Sequence, residues 1–86
     1  MYYVYILQSE KSGQLYTGST GDLRKRLSQH NLGQSNWTKG GIPWKLIYYE
    51  ASLDESDAHA REIYLKSGNG KRYLYNRLKR FLTLTG

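Results

Sequence analysis

The chain opens with two short runs of β-branched and aromatic residues and then changes to helical spacing. Tyr3-Val4-Tyr5-Ile6-Leu7 and Leu15-Tyr16-Thr17-Gly18-Ser19 are separated by polar turn formers from Ser9 to Gln14, with Gly13 among them. That pattern predicts a β-hairpin with a loop of about six residues. Alternation along a strand puts Tyr3, Tyr5 and Leu7 on one face and Val4 and Ile6 on the other. Tyr16 points opposite to Leu15 and Thr17. Each strand therefore offers a phenol while its apolar members face a core.

From Asp22 to Leu32 the spacing is helical. Leu23 and Leu27 lie four apart, Thr20 or Gly21 is placed to cap the start, and Gly33 is a natural stop. Arg26 and His30 also lie four apart and stack on one face, flanking the leucine stripe. Gly33 to Pro43 is polar, glycine-containing and carries one tryptophan, the pattern of a contact loop. A third strand is expected from Trp44 to Ala51, with Pro43 tolerated just before it. Ser52-Leu53-Asp54-Glu55 has the form of a capping box, so a second helix should run to about Lys66 and stop at Ser67-Gly68. A last helix is expected over about Gly70 to Leu82, because Leu74, Leu78, Phe81 and Leu82 fall at helical spacing. Asn69 is placed to cap it. The order is β-β-α-β-α-α. The fold class is α+β, a small three-stranded sheet flanked by helices in two or three layers.

Composition narrows the function. Eighty-six residues make one domain, 1–86, with little core to spare. There is no cysteine, which excludes disulfides and thiolate metal sites. No uninterrupted apolar run in the sequence, Leu46 to Tyr49 included, is long enough to cross a bilayer, and no signal peptide is visible. The expectation is a cytoplasmic protein with no membrane partner. Thirteen Lys and Arg against seven Asp and Glu give a net charge of +6, which suits a polyanionic partner. Arg24, Lys25 and Arg26 are consecutive. Lys71, Arg72, Arg77, Lys79 and Arg80 fall together with no acid among them, while Glu50, Asp54, Glu55 and Asp57 cluster elsewhere.

Glu62 is the most informative single residue. Ala58, Glu62 and Leu65 share a helix face, and a carboxylate on a core-facing stripe must be paired, hydrogen-bonded or bound to a cation. Two readings stand side by side. One is an ion pair with Arg61, Lys66 or a basic residue of another helix. The other is a single-carboxylate ligand for Mg²⁺ or Mn²⁺. Tyr5 and Tyr16 are two of nine tyrosines, and strands favour tyrosine for packing. A phenol that serves as a base needs a nearby cation or metal. Arg26 is either a solvated helix residue or a bidentate phosphate holder. His30 is either a helix-end histidine near the C-terminal dipole or a group that meets phosphate or moves a proton near neutral pH. No phosphate-binding glycine loop of the Walker or dinucleotide type occurs.

Taken in order, these residues resemble a known family. Tyr3-Val4-Tyr5 followed by Tyr16-Thr17-Gly18 is similar to the paired motif of the GIY-YIG nucleases. The resemblance continues through Asp22-Leu23-Arg24-Lys25-Arg26-Leu27, His30-Asn31, Pro43 to Glu50, Ala60-Arg61-Glu62 and Ser67 to Leu74, and so covers nearly the whole chain. Small stand-alone bacterial members, which resemble the N-terminal nuclease domain of the DNA-repair excinuclease, look most similar. The resemblance implies a divalent-metal-dependent DNA endonuclease using Mg²⁺ or Mn²⁺. Tyr5 would be the general base or its relay, and Tyr16 would position water or phosphate. Arg26 would bind the phosphate, His30 would assist near the attacking water, and Glu62 would hold the metal. Arg24, Lys25, Lys39, Lys71, Arg72 and Arg77 would attract the DNA backbone without reading sequence. The first motif lacks its initial glycine, and threonine replaces isoleucine in the second. Ser19 stands where several members carry lysine, and Leu74 where several carry an asparagine. Larger members attach a separate DNA-binding domain. The alternative reading is therefore a catalytically weak nucleic-acid-binding module targeted by a protein partner, with Trp37 stacking on an unpaired base.

Overall fold

The computed structural model describes residues 1–85, with side chains through residue 83. The carboxyl end of the 1–86 range lies outside the described residues. Strand β1 (Tyr2–Ser9) and strand β2 (Leu15–Thr20) form the expected hairpin. Helix α1 (Leu23–Asn31) follows, then a short 3₁₀ turn at Lys39–Gly41 and strand β3 (Trp44–Ser52). Helices α2 (Glu55–Lys66), α3 (Gly68–Arg77) and α4 (Lys79–Thr85) complete the order. The sheet is antiparallel with order β2-β1-β3, so β1 is central and β2 is a free edge.

Both faces of β1 are covered, as its near-continuous apolar content requires. Val4 and Ile6 pack with Ala58, Leu65 and Leu74 from α2 and α3. Tyr5 and Leu7 pack on the other face with Trp44, Tyr16, Leu23 and Leu27. The molecule thus has three layers with the sheet between α1 and the α2–α3 pair. β3 carries one extra residue, Ile47, between the pairs Ile6–Tyr48 and Leu7–Leu46. This bulge turns both Ile47 and Tyr48 toward the aliphatic face, while Leu46 stays with Tyr5 and Leu7.

Several ends differ from the sequence expectation. The cap of α1 is Asp22, whose carboxylate accepts from the Lys25 N–H, rather than Thr20 or Gly21. The cap of α2 is Asp54, accepting from the Ser56 and Asp57 N–H groups, so the Ser52 capping box does not form. Ser52 is instead the last residue of β3. In both cases an aspartate one or two residues closer to the helix outcompetes the hydroxyl. Ser67 both closes α2 and caps α3 through its hydroxyl and the Gly70 N–H, a role expected of Asn69. The last helix is two helices that meet at Leu78, which also packs on the aliphatic core. The apolar spacing runs unbroken across that bend, which hid it. The loop from Gly33 to Pro43 is packed inward: Ser35 and Thr38 are buried.

Candidate functional site

The site is built where the hairpin meets α1. The register pairs Tyr5 with Gly18, and a Cβ at Gly18 would lie within 2.4 Å of the Tyr5 hydroxyl. The phenol therefore lies across the bare backbone of the edge strand, and only glycine leaves room for it. Its oxygen is 2.8 Å from His30 Nε2. His30 Nδ1 is 2.7 Å from Thr38 Oγ1, and the Thr38 carbonyl accepts the Trp44 indole N–H at 2.6 Å. Asn31 clamps the same segment, with its amide bonding both the N–H and the C=O of Trp44. Tyr5, His30 and Thr38 are each at most 1% exposed. Among the described residues no buried side-chain nitrogen or oxygen lacks a partner, so this polar chain is satisfied and holds its geometry.

Burial and Arg26 act on Tyr5 in opposite directions. Burial pushes the Tyr5 phenol above its ordinary pKa, and a hydrogen bond and charge from Arg26 pull against it. A guanidinium only donates. The Tyr5 hydroxyl and His30 Nε2 share one hydrogen bond, whose direction is set by the imidazole tautomer. In the tautomer protonated on Nδ1, the imidazole donates to Thr38 Oγ1 and accepts the Tyr5 proton at Nε2. Burial first, and the Arg26 charge second, hold the imidazole below its ordinary pKa, which keeps it neutral and able to accept.

Tyr16 packs its ring against His30 and Trp44, at centroid distances of 5.2 and 6.3 Å. It is half-buried, so one side of the phenol remains open. Arg26 is half-buried too, with Nη1 donating to Gln29 Oε1 at 3.0 Å. Thus Tyr5, Tyr16, Arg26 and His30 come together on the α1 side. His30 does so as an interior group with both nitrogens engaged, not as one turned out toward a phosphate.

Glu62 reaches the same strand from the opposite layer. Its side chain is 14% exposed. Ser19 Oγ donates to Oε1 at 2.7 Å, Lys66 Nζ donates to Oε2 at 2.9 Å, and His59 lies 3.6 Å from Oε1. Burial alone would raise the Glu62 pKa. The Ser19 and Lys66 bonds, with the Lys66 and His59 charges, outweigh it and hold the carboxyl below its usual range. Both sequence readings of Glu62 thus keep a footing: it is ion-paired to Lys66, and it is an ionised oxygen donor at the end of β2. Arg61 does not contribute to that pair; it forks onto Glu50 at 2.9 and 3.1 Å. Tyr5 lies against Gly18 and Glu62 accepts from Ser19, so the two layers meet across the edge strand at these adjacent residues. One hard carboxylate beside a hydroxyl fits Mg²⁺ or Mn²⁺, which take few protein ligands and keep waters. Among the described residues no three His, Cys, Asp or Glu side chains are grouped to hold a metal ion.

The basic candidates divide. Arg24, Lys25, Lys39, Lys71, Arg72 and Arg77 are all exposed. Arg24 and Lys25 lie on α1, and Lys39 lies in the 3₁₀ turn. Lys71 borders a hollow beside Gln14, Leu15 and Thr17 of the hairpin. Arg77 instead lies near enough to Glu50 of β3 to lower that carboxyl's pKa. Three residues of the site had no functional assignment in the sequence. Thr38 sits in a loop without periodicity and gave no signal. Ser19 was visible only as a missing lysine, and Gly18 only as part of a motif.

Comparison with known proteins places the chain in a family and agrees with the fold. The family described as the GIY-YIG catalytic domain matches residues 1–80. A UPF0213 protein of Clostridium perfringens is 45% identical over 67 residues, covering 77% of this chain and 71% of its own. A UPF0213 protein of Staphylococcus saprophyticus is 38% identical over 74 residues, covering 85% and 89%. The solution NMR structure of a UPF0213 protein from Bacillus halodurans superposes with a TM-score of 0.54 at 32% identity, over 88% of this chain and 84% of that one.

Proposed function

This chain belongs to the GIY-YIG catalytic domain family, whose members are nucleases, and we propose that it is a divalent-metal-dependent DNA endonuclease acting in the cytoplasm on structured or damaged DNA. The observation that carries this reading is the convergence beside β2 of Tyr5 with its His30 partner, Arg26, Tyr16 and Glu62.

In this mechanism Arg26 holds the scissile phosphate through its free N–H groups and offsets charge as the phosphorus becomes five-coordinate. Tyr16 orients the phosphate or the water with the open side of its phenol. Tyr5 takes the proton of the attacking water while passing its own to His30 Nε2. A free phenolate, disfavoured by the raised pKa, need not accumulate. The imidazolium formed is buried and so short-lived, and Thr38 holds the ring in line throughout. The water oxygen forms the new bond to phosphorus as the ester oxygen leaves in line. Glu62 would hold the Mg²⁺ or Mn²⁺, which would polarise the phosphate and stabilise charge on the leaving oxygen.

The test is nicking of supercoiled plasmid and cleavage of branched DNA with Mg²⁺, Mn²⁺ or chelator, comparing wild type with Glu62→Ala and Tyr5→Phe. Metal-dependent cleavage by wild type and its loss in both variants is the expected result. A second reading is favoured by the engagement of both Glu62 oxygens with Ser19 and Lys66. A carboxylate held this way suits a weakly catalytic nucleic-acid-binding module that a protein partner directs. Salt-sensitive DNA binding by every variant, with cleavage by none, would establish that reading in place of the first.

A further inference from the structure

Trp37 is 89% exposed, yet the loop that carries it is fixed on both sides. Ser35 and Thr38 are buried. Thr38 is tied to His30 and Trp44. The Gly41 carbonyl accepts from Ser9 Oγ, which itself accepts from the Lys11 and Ser12 N–H groups. The indole is therefore a platform held in the open rather than the tip of a free loop. It forms one wall of an open hollow of about 520 Å³ whose other walls include Lys11, Gln14, Tyr16, Gly40 and Trp44. None of its lining residues is acidic, and Lys39 lies two residues from Trp37. Tyr16 belongs both to this hollow and to the ring cluster around His30.

We propose that this hollow is a subsite for an unpaired nucleobase, stacked on Trp37 beside the phosphodiester at Tyr16 and Arg26, so that the chain selects DNA with an unpaired strand over continuous duplex. The location of the phosphate rests on the nuclease reading; the stacking does not. The size and charge fit the occupant. The volume is in the range of small-molecule sites. An exposed indole accepts any base, because every base has a π-face. Lys11 and Lys39 meet the flanking phosphates without reading sequence. In continuous duplex the bases are stacked inside the helix and reach Trp37 only by leaving it. At a flap, gap or fork that cost is small.

Binding is measured in chelator, so that cleavage plays no part. A short single-stranded DNA with a central 2-aminopurine is compared with the same sequence as duplex and with a strand lacking that base. Wild type should quench the 2-aminopurine and bind the single strand more tightly than the duplex. Trp37→Ala should weaken single-strand binding by roughly 5- to 150-fold, leave duplex binding within twofold, and gain nothing from restoring the missing base. Trp37→Phe should recover most of the loss. The indole is exposed, so neither change threatens folding. Equal weakening toward single strand and duplex, or no weakening, would overturn the subsite while leaving the nuclease reading intact. Stacking with no cleavage in Mg²⁺ or Mn²⁺ would keep the subsite and remove the nuclease.

Discussion

The two faces of β1 take alternate residues of one strand and do different work. On one, Val4 and Ile6 meet Ala58, Leu65 and Leu74, and the Tyr48 phenol packed against them bonds outward to Glu50. On the other, Tyr5 and Leu7 meet Trp44 and Tyr16, and a hydrogen-bonded line from Tyr5 through His30 to Thr38 runs through the packing. The first face stabilises by area: its residues are almost wholly buried, each worth about 1.5–3 kcal/mol for a large aliphatic side chain. The second gives up part of that gain, since its polar groups only break even when every partner is present. The sheet thus separates holding the fold from holding the chemistry. Gly18 and Ser19, on the free edge, are where the two layers touch.

Two glycines permit the sharpest test of that division, because each meets the same added methyl differently. A Cβ at Gly70 would lie 1.9 Å from the Tyr64 carbonyl oxygen and 2.5 Å from Leu65 Cα. Backbone cannot turn aside, so Gly70→Ala must part α2 from α3 and open the aliphatic core. A loss of about 3 kcal/mol or more is expected, at or beyond the upper end for overpacking. At about 4–8 °C per kcal/mol for a domain of this size, the melting temperature should fall by more than about 10 °C. Thermal unfolding followed by circular dichroism reads this, and a fall of only a few degrees would mean that the helix junction is looser than the contacts require.

Gly18→Ala should show the reverse balance. Its methyl meets the Tyr5 phenol rather than backbone, and that ring can tilt at the expense of its bond to His30. Stability should fall by about 1–3 kcal/mol. Cleavage should fall by about 100-fold or more, because a small misplacement of a reacting group has that cost. Kinetics on branched DNA and unfolding on the same preparation separate the two effects. Full activity in Gly18→Ala would remove Tyr5 from the mechanism and with it the division of labour.

Much of this frame was legible in the order of residues. Period-two alternation gave the hairpin and its faces, and the i, i+4 spacing brought Arg26 to His30 and turned Glu62 inward. What escaped was decided by competition or by distance in sequence. Asp22 and Asp54 took caps that neighbouring hydroxyl residues also suited. Leu78 bends the last helix without a glycine or proline, because its side chain is drawn to the core. Thr38 completes the His30 line from a loop whose shape is set by tertiary bonds to His30, Trp44 and Ser9, and no local pattern encodes those. The depth of His30 was also hidden: helical spacing put it beside the leucine stripe, whereas the loop closes over it entirely.

That depth makes a pH prediction of smaller size. The folded-state pKa of His30 is depressed, so the unfolded chain binds its proton first as pH falls. The stability His30 contributes is therefore fully present above its ordinary value near 6.5 and is lost as pH drops from there through the folded pKa. The slope cannot exceed about 1.4 kcal/mol per pH unit for one group. Glu62 and Glu50, with pKa values also lowered, add their own losses only below about 4.5, the ordinary carboxylate range. Urea unfolding between pH 7.5 and 5.5 should show a decline in wild type and a flatter profile in His30→Gln, which cannot titrate. Parallel profiles would show that the imidazole is not held neutral inside the α1 face.

The smallest effect concerns the outer charges. If nucleic acid follows the β2 edge, exposed cations beside that edge matter and those near β3 do not. Lys71 borders the hairpin at Gln14, Leu15 and Thr17. Arg77 lies toward Glu50 on the far strand, where that carboxylate also binds Arg61. Each phosphate contact removed should reduce the slope of log K against log salt by about 0.9. Lys71→Ala should therefore lower the slope by about one and weaken binding evenly across sequences, while Arg77→Ala should leave the slope within error of wild type. Anisotropy titrations of one duplex over a range of salt concentrations decide it. Equal changes in both variants would mean that the backbone crosses the α3 surface as well, and the edge strand would then be only part of the path.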